Sequence, residues 1–189
     1  MNEFELISRL KSGDAIAFRE LVESRQNLVF NTVIGFLQNT EDAEDVTQDV
    51  FVKIFESIGQ FKGESALSTW VYRVAVTTAL EFLRRKKRKK RFGFLSPILG
   101  ENNELTVELP DFHHPGVTLD NREKASMLFK AIKQLPENQQ TAFILNKVEG
   151  LPYQEVAEIM KTSLSAVESL LHRAKTNLKD LLKNFYNLE

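Results

Sequence analysis

Apolar side chains recur at helical intervals along most of the chain, and one stretch near the middle interrupts this pattern. Spacings of three and four residues predict amphipathic helices, and no segment shows the alternation of a half-buried strand. Residues 93–120 contain three of the five prolines and little periodicity, which predicts a linker. The sequence therefore predicts an all-α protein with two small helical domains, residues 1–92 and 121–189, joined by a flexible linker.

Helix ends are predicted from capping residues and helix breakers. We expect helices over 3–11, 14–36, 41–58, 65–91, 121–134, 136–148, 152–160 and 164–185. The side chains suited to cap a helix N-terminus are those of Asp14, Thr40, Ser65 and Ser163. Pro136 and Pro152 each suit the first turn of a helix, where the missing N–H has no intrahelical partner.

Composition limits the function classes. The 189 residues include no Cys, which excludes a disulfide scaffold, a thiol nucleophile and a Cys-ligated zinc site. No apolar run approaches the roughly 18 residues of a membrane span. The N-terminus has acidic residues where a signal peptide needs basic ones, and it has no apolar core. We therefore expect a cytoplasmic protein without membrane insertion.

The net charge of −1 conceals a strong segregation of charge. Residues 84–91 contain 8 basic side chains and no acidic ones, whereas the segments before and after them are both net acidic. A block of this kind attracts polyanions, so nucleic-acid binding is one interpretation. The alternative is a solvated linker or helix end, and the block alone does not identify the nucleic acid.

The C-terminal part has the pattern of a helix-turn-helix. Helices over 152–160 and 164–182 are separated by three residues, and small Ala157 allows a close crossing. The second helix has an apolar back and a polar front, and such a helix suits the major groove. The polar front consists of Ser165, Glu168, Ser169, His172, Arg173 and Lys175. A plain helical hairpin with a solvated face is the alternative. Lys161 in the turn would need a positive φ.

An aromatic and basic stripe distinguishes the helix that leads into the basic block. Trp70, Arg73, Thr77 and Arg84 fall near one line on this helix. Aromatic rings beside cations are typical of platforms for unpaired strands, on which bases stack while cations follow phosphates. The alternative is that Trp70 and Tyr72 are ordinary core residues.

The preceding helix, 41–58, has acidic residues on its first turns. The helix dipole favours carboxylates there, which accounts for part of the pattern. A carboxylate metal site is a weak alternative, because no His stands at ligand spacing. The acidic face, flanked by Phe51 and Phe55, also suits a basic protein partner.

Two long strings carry a specific resemblance. Residues 42–88, DAEDVTQDVFVKIFESIGQFKGESALSTWVYRVAVTTALEFLRRKKR, resemble the second conserved region of a bacterial sigma factor. Residues 134–178, QLPENQQTAFILNKVEGLPYQEVAEIMKTSLSAVESLLHRAKTNL, resemble the fourth. With no long region between them, the chain is similar to the compact extracytoplasmic-function (ECF) group of the sigma-70 family.

The resemblance implies a sigma subunit that binds core RNA polymerase and directs promoter recognition, melting and initiation, without catalysis and without a cofactor. It implies that an anti-sigma factor is a further partner and that the linker runs through the active-site cleft and RNA exit channel. The implied polymerase-binding residues are Asp45, Gln48, Asp49 and Phe51. The implied −10 DNA-binding residues are Phe61, Lys62, Trp70, Tyr72, Arg73, Thr77, Arg84 and Arg85. The polar front of 164–182 is implied to contact the −35 element.

Two positions depart from the family pattern. Thr77 stands where members often have Asn, and Glu168 stands where many have Arg or Lys. A carboxylate at position 168 would prefer a cytosine amino group and repel phosphate. We therefore expect promoter preferences that differ from those of better-known relatives.

Two other classes of function compete with the sigma interpretation. A self-sufficient regulator would use only the helix-turn-helix, and it would leave the aromatic segment 61–73 unexplained. A hydrolase or metal enzyme would use His113 and His114 together with either Asp111 or the acids of 41–49. No activated nucleophile, phosphate-binding loop or metal motif in the sequence supports that enzyme.

Overall fold

A computed structural model describes residues 2–93 and 122–186. These residues form helices and contain no strand, which confirms the all-α prediction. The helices are α1 (Glu3–Lys11), α2 (Ala15–Leu37), α3 (Thr40–Ser57), α4 (Leu67–Gly93), α5 (Arg122–Ile132), α6 (Glu137–Phe143), α7 (Tyr153–Met160) and α8 (Leu164–Tyr186). A 3-10 turn, Ile58–Gln60, follows α3, and a π-helical turn, Ile144–Val148, extends α6. The predicted linker lies outside the described residues, apart from Gly93, which ends α4.

Two of the four predicted N-caps are confirmed. Asp14 Oδ1 accepts from the N–H groups of Ile16 and Ala17, at 2.8 and 3.2 Å, and so begins α2. Ser163 Oγ accepts from the N–H of Ala166 at 3.2 Å and begins α8. Both interactions satisfy donors that have no partner within their own helix.

The other two predicted N-caps are wrong. Asn39 caps α3 in place of Thr40, because its Oδ1 accepts from the N–H of Asp42 at 2.8 Å. Ser65 does not cap α4, which begins two residues later. The N–H of Leu67 instead donates to Glu3 Oε1 of α1 at 3.3 Å, a contact that local sequence does not reveal.

The N-terminal helices enclose one apolar core. Helices α2, α3 and α4 pack on one another, and α1 closes the end near the 3-10 turn. The inner face of α3 is buried at Ala43, Val46, Val50 and Ile54, and Ile58 of the 3-10 turn continues it. Burying such side chains stabilises the fold by about 1.5–3 kcal/mol each. Because the inner sides of α3 and α4 are buried in this bundle, their opposite sides face away from the core.

The C-terminal helices enclose a second core. Helix α8 packs against α5, α6 and α7. Its predicted apolar seam is buried at Val167, Leu171, Ala174 and Leu178 and half-buried at Leu170 and Leu181. Asn177 Nδ2 donates to Gln139 Oε1 at 2.8 Å and so adds a polar contact between α8 and α6.

The two halves also pack against each other, which the sequence pattern did not predict. Phe36, Tyr72 and Val76 of the N-terminal half lie in the same apolar cluster as Ile132 and Leu145 of the C-terminal half. Helix α4 contacts α7, and α2 contacts the π-helical turn. The faces of α4 and α7 that meet here border the candidate site.

Candidate nucleic-acid and polymerase interfaces

The helix-turn-helix is formed by α7 and α8. Val156 and Ala157 of α7 are buried, and Met160 at its end is half-buried. All members of the predicted polar front, Ser165, Glu168, Ser169, His172, Arg173 and Lys175, are exposed. The hydroxyl of Ser169 donates to the carbonyl of Ser165 at 2.9 Å. Helix α8 therefore presents a continuous polar and charged surface to solvent.

The turn between α7 and α8 requires a left-handed residue. Lys161 has φ 53° and ψ 48°, which confirms the predicted positive φ. Its N–H donates to the carbonyl of Glu158 at 3.2 Å, and that of Thr162 donates to the carbonyl of Ala157 at 3.0 Å. These bonds end α7 in the way that glycine usually does.

Replacing Lys161 with glycine is expected to stabilise the protein, because the left-handed conformation costs a non-glycine residue about 1 kcal/mol. For a chain of this size, thermal denaturation should show a rise of about 2–4 °C in Tm. Lys161→Ala removes the same side chain and keeps the strain. Equal Tm values for the alanine and glycine variants would contradict this explanation.

The predicted −10 residues separate into exposed and buried groups. Lys62, Thr77, Arg84 and Arg85 are exposed, and Trp70 and Arg73 are half-buried. Phe61 and Tyr72 are buried, with 5% and 7% of their surface exposed. The Phe61 ring packs against the Trp70 ring, with ring centroids 5.3 Å apart. Direct DNA contact by Phe61 or Tyr72 is therefore not supported by this arrangement.

The face of α3 that resembles a polymerase-binding surface is largely exposed. Asp45, Gln48 and Asp49 face solvent, but Phe51 is buried in the N-terminal core, so its predicted contact with a partner is not supported. Sequence reasoning missed Val52, which is 55% exposed one turn beyond Gln48. It noted Phe55 only as a flanking residue, and this ring is 53% exposed with its edge against Phe18. The acidic face is thus continuous with apolar surface.

The basic block lies on the second half of α4. Its members from Arg84 to Lys89 are exposed. Lys86 Nζ lies 2.5 Å from Asp42 Oδ2 of α3, and Arg85 stacks over the Phe82 ring at 5.5 Å. An exposed pair of this kind contributes little stability, so these cations remain available to exchange partners.

A cleft of about 790 Å³ separates parts of α4 from α7. Trp70, Arg73 and Thr77 line it from α4, and Met160 and Lys161 line it from the end of α7. The Arg73 guanidinium donates to the Glu158 carbonyl oxygen from Nη2 at 2.6 Å and from Nε at 3.2 Å. The candidate strand-binding stripe therefore faces the helix-turn-helix.

Two titratable groups lie close together where the halves meet. Burial raises the pKa of the Glu149 carboxyl to about 7. Burial, together with the nearby carboxylates of Glu149 and Glu155, raises the pKa of the Tyr72 phenol to about 12. The cause is the same for both groups, since a low-dielectric environment disfavours their charged forms.

The contribution of Glu149 to the stability of the protein should therefore fall as pH rises from about 4.5 to about 7. The folded state holds a proton on Glu149 in this range that the unfolded chain has released, so rising pH favours unfolding. Glu149→Gln should raise the free energy of unfolding by about 2 kcal/mol at pH 8 and by little at pH 5. Denaturant unfolding at both pH values measures this difference. An equal effect of Glu149→Gln at pH 5 and at pH 8 would contradict the raised pKa of Glu149.

The described residues include no group of three or more His, Cys, Asp or Glu side chains placed to hold a metal ion. The acids of 41–49 therefore form no such cluster, whereas Asp111, His113 and His114 lie outside the described ranges. Among the helices described, none is long and apolar enough to cross a membrane.

Comparison with known proteins agrees with this division into two halves. The family profile "Sigma-70 region 2" matches residues 21–89, and "Sigma-70, region 4" matches residues 126–178. The ECF RNA polymerase sigma-E factor of Haemophilus influenzae is 34% identical, covering 94% of each chain. RNA polymerase sigma-H factor of Pseudomonas aeruginosa is 31% identical, covering 95% of this chain and 93% of its own.

Solved structures show the same fold. The structure of CnrH in complex with the cytosolic domain of CnrY has a TM-score of 0.66 at 18% identity, over 96% of this chain and 97% of that one. The sigma factor RpoE of Bartonella quintana, in complex with the anti-sigma factor NepR, has a TM-score of 0.60 at 21% identity. The match covers 88% of this chain and 96% of that one.

The chain belongs to the ECF group of the sigma-70 family of RNA polymerase sigma factors. Its function is accordingly that of a sigma factor in promoter recognition and transcription initiation. Proteins of this family are initiation factors and not enzymes. The resemblance found in the sequence is confirmed, and the stand-alone regulator is not favoured.

Proposed function

We propose that three separate surfaces of this chain bind core polymerase, the −10 element and the −35 element. In this proposal residues 1–92 bind core polymerase and the −10 element, and residues 121–189 bind the −35 element. One observation supports it above the others. Helices α3, α4 and α8 each bury an apolar side in one of the two cores. Each also presents a second side of different chemistry that is not needed to form those cores.

The face of α3 is proposed to bind core polymerase. Asp45, Gln48 and Asp49 supply charge and hydrogen bonding, and Val52 and Phe55 add exposed apolar area. Apolar anchors beside charged groups are typical of protein interfaces, in which charge guides association and buried apolar area slows dissociation. Phe51 supports this face from the core.

The stripe on α4 is proposed to bind the melted −10 strand. Trp70 offers a ring for stacking, Arg73 and Arg84 offer cations for phosphate, and Thr77 offers an exposed hydroxyl. Capture of an unpaired base requires it to leave the stack, at a cost of a few kcal/mol, which stacking on Trp70 would offset. Phe61 and Tyr72 would position the helix and not contact DNA.

The polar front of α8 is proposed to bind the −35 element in the major groove. Arg173 and Lys175 suit phosphate or guanine, and His172 adds a hydrogen-bonding group. Glu168 is exposed on this face. It suits a cytosine amino group, so a cytosine within the −35 element is expected.

An anti-sigma factor is proposed as a further protein partner, with a cytoplasmic location for the chain. The family membership supports this proposal, as does the fold shared with the sigma factor RpoE, which was solved in complex with the anti-sigma factor NepR. No enzymatic activity and no cofactor are part of it.

The experiment that tests this function is transcription reconstituted from purified components. The protein is mixed with sigma-free core polymerase from the source organism and sheared genomic DNA from the same source. Discrete transcript starts that require the protein are the expected result, and they would supply the −10 and −35 sequences together. Absence of both transcript starts and co-elution with core polymerase would contradict the proposal and favour the stand-alone DNA-binding regulator.

A further inference from the structure

A large apolar side chain is exposed at the start of the helix that is proposed to read the −35 element. Leu164 is the first residue of α8, and 43% of its surface is exposed. The other exposed large apolar side chains of the described residues, Phe4, Ile16, Val52 and Phe55, all belong to the N-terminal half. Leu164 is therefore unusual within its own half.

Leu164 adjoins the polar front of α8. Residues four apart are neighbours on a helix surface, so Leu164 lies beside Glu168. Ser163 precedes it as the N-cap, and the hydroxyls of Ser163 and Ser165 lie 3.1 Å apart. In a helix-turn-helix the N-terminal residues of the second helix are those that contact base edges. The position of Leu164 thus makes it part of the surface that would enter the major groove.

The apolar seam of α8 offers a structural explanation for this leucine. Leu164 precedes Val167 by three residues and Leu171 by seven, which is the spacing of the seam. Val167 and Leu171 are buried, whereas Leu164 is not. A side chain this exposed gains only part of the free energy of burial, so the fold alone gives a weak reason for an apolar residue at this position.

The polar front has no side chain that selects an A·T base pair. Arginine and lysine pair with guanine and a carboxylate accepts from cytosine, whereas asparagine or glutamine pairs with adenine. The front contains neither of these amide residues. Asn177 is the next amide along α8, and its Nδ2 donates to Gln139 Oε1 at 2.8 Å. The thymine methyl group remains as a feature that α8 could read, and it is recognised by apolar contact.

We propose that Leu164 determines specificity for a thymine of the −35 element, through contact of its side chain with the thymine C5-methyl group in the major groove. Glu168 then reads a nearby cytosine. Four residues rise about 6 Å along a helix axis, and successive base pairs are about 3.4 Å apart. The thymine is therefore expected within about two base pairs of that cytosine. This inference rests on the proposed binding of α8 to the −35 element.

Removing the methyl group from the DNA tests the proposal. Uracil pairs with adenine as thymine does, and it differs from thymine only in lacking the C5-methyl group. Each thymine of the −35 element mapped by the transcription experiment is replaced in turn by uracil, and equilibrium binding of the promoter fragment to the reconstituted holoenzyme is measured. Burial of one methyl group corresponds to about fourfold in affinity, so uracil at one position should weaken binding about fourfold.

The Leu164→Ala variant should lose this response to uracil. Its holoenzyme should bind the thymine and uracil fragments equally, and should bind the thymine fragment about fourfold more weakly than the unmodified holoenzyme does. The four affinities form a double-mutant cycle, which isolates the contact between Leu164 and the methyl group. Leu164→Met keeps an apolar side chain of similar volume, so this variant should keep the response.

Thr162→Ser is the matched control. Thr162 is exposed in the turn before α8, and its methyl group is another apolar group near this end of the helix. The substitution removes that methyl group and keeps the hydroxyl. The holoenzyme with Thr162→Ser should therefore keep the full response to uracil.

Absence of a uracil effect at every thymine, or absence of thymine from both strands of the mapped element, would overturn the proposal. A uracil effect that persists in Leu164→Ala or disappears in Thr162→Ser would also overturn it. A lower Tm for Leu164→Ala, with both fragments weakened alike, would assign Leu164 to the core instead. If the unmodified protein produced no promoter-dependent transcripts, the proposed function itself would fail, and this outcome is distinct from the others.

Discussion

Replacing Trp70 with alanine is expected to leave polymerase binding intact and to reduce promoter opening by about tenfold to a hundredfold. The Trp70 ring is half-buried, rests on Phe61 and lines the cleft, so part of it is available to an incoming base. Stacking on such a ring contributes about 1–3 kcal/mol per base, which corresponds to the expected loss. Permanganate reactivity on a mapped promoter measures opening, and co-elution with core polymerase measures binding.

The matched control for this substitution is Trp70→Phe. Phenylalanine keeps an aromatic face above Phe61, so it should keep most of the promoter opening while removing the indole N–H. Thermal unfolding of both variants separates a role in DNA binding from a role in the core. A large fall in Tm for Trp70→Ala, accompanied by loss of polymerase binding, would show that the ring is structural and would contradict the stacking role.

The helical elements were predictable because their signals are local. The apolar spacing of α3 and α8 matches the buried faces that the structure contains, and Asp14 and Ser163 cap their helices through bonds to residues two or three positions away. The two capping errors have different causes. At α3, Asn39 and Thr40 are adjacent residues that can both cap a helix, and the sequence does not show which one does. At α4, the first N–H donates to the carboxylate of Glu3, which is 64 residues distant in sequence.

The candidate surfaces were predictable in outline and not in detail. A resemblance to known motifs marks positions along a helix, but burial depends on which neighbouring helix covers each side. Phe51, Phe61 and Tyr72 sit within motif segments and nevertheless face the interior. In contrast, the exposure of Val52 has no sequence signal beyond its place one turn after Gln48 on the acidic face.

The contacts between the halves had no sequence signal at all. Arg73 and Glu158 are separated by 85 residues, and Gln38 and Phe129 by 91. Two of these partners are backbone carbonyls, which every residue possesses, so composition cannot identify them. Packing of N-terminal side chains, among them Phe36, Tyr72 and Val76, against the C-terminal helices brings these groups together.

Reversing the charge of Asp49 is expected to weaken binding to core polymerase at least thirtyfold. Asp49 is exposed on the middle of α3, where substitution disturbs no core contact. Like charges placed opposite one another in an interface cost several kcal/mol, and about 2 kcal/mol already corresponds to thirtyfold. Titration of fluorescently labelled Asp49→Arg protein with core polymerase measures the change, and unchanged thermal unfolding confirms that the fold is intact.

Glu20→Arg is the matched control, because it makes the same charge change at an exposed position of α2 in the same half of the protein. It should bind core polymerase within twofold of the unmodified protein. Added salt should weaken the binding of the unmodified protein more than that of Asp49→Arg, since the variant has lost the attractive pair that salt screens. Equal affinities of the two charge reversals would remove the α3 face from the interface, whereas a selective loss would assign it to polymerase binding.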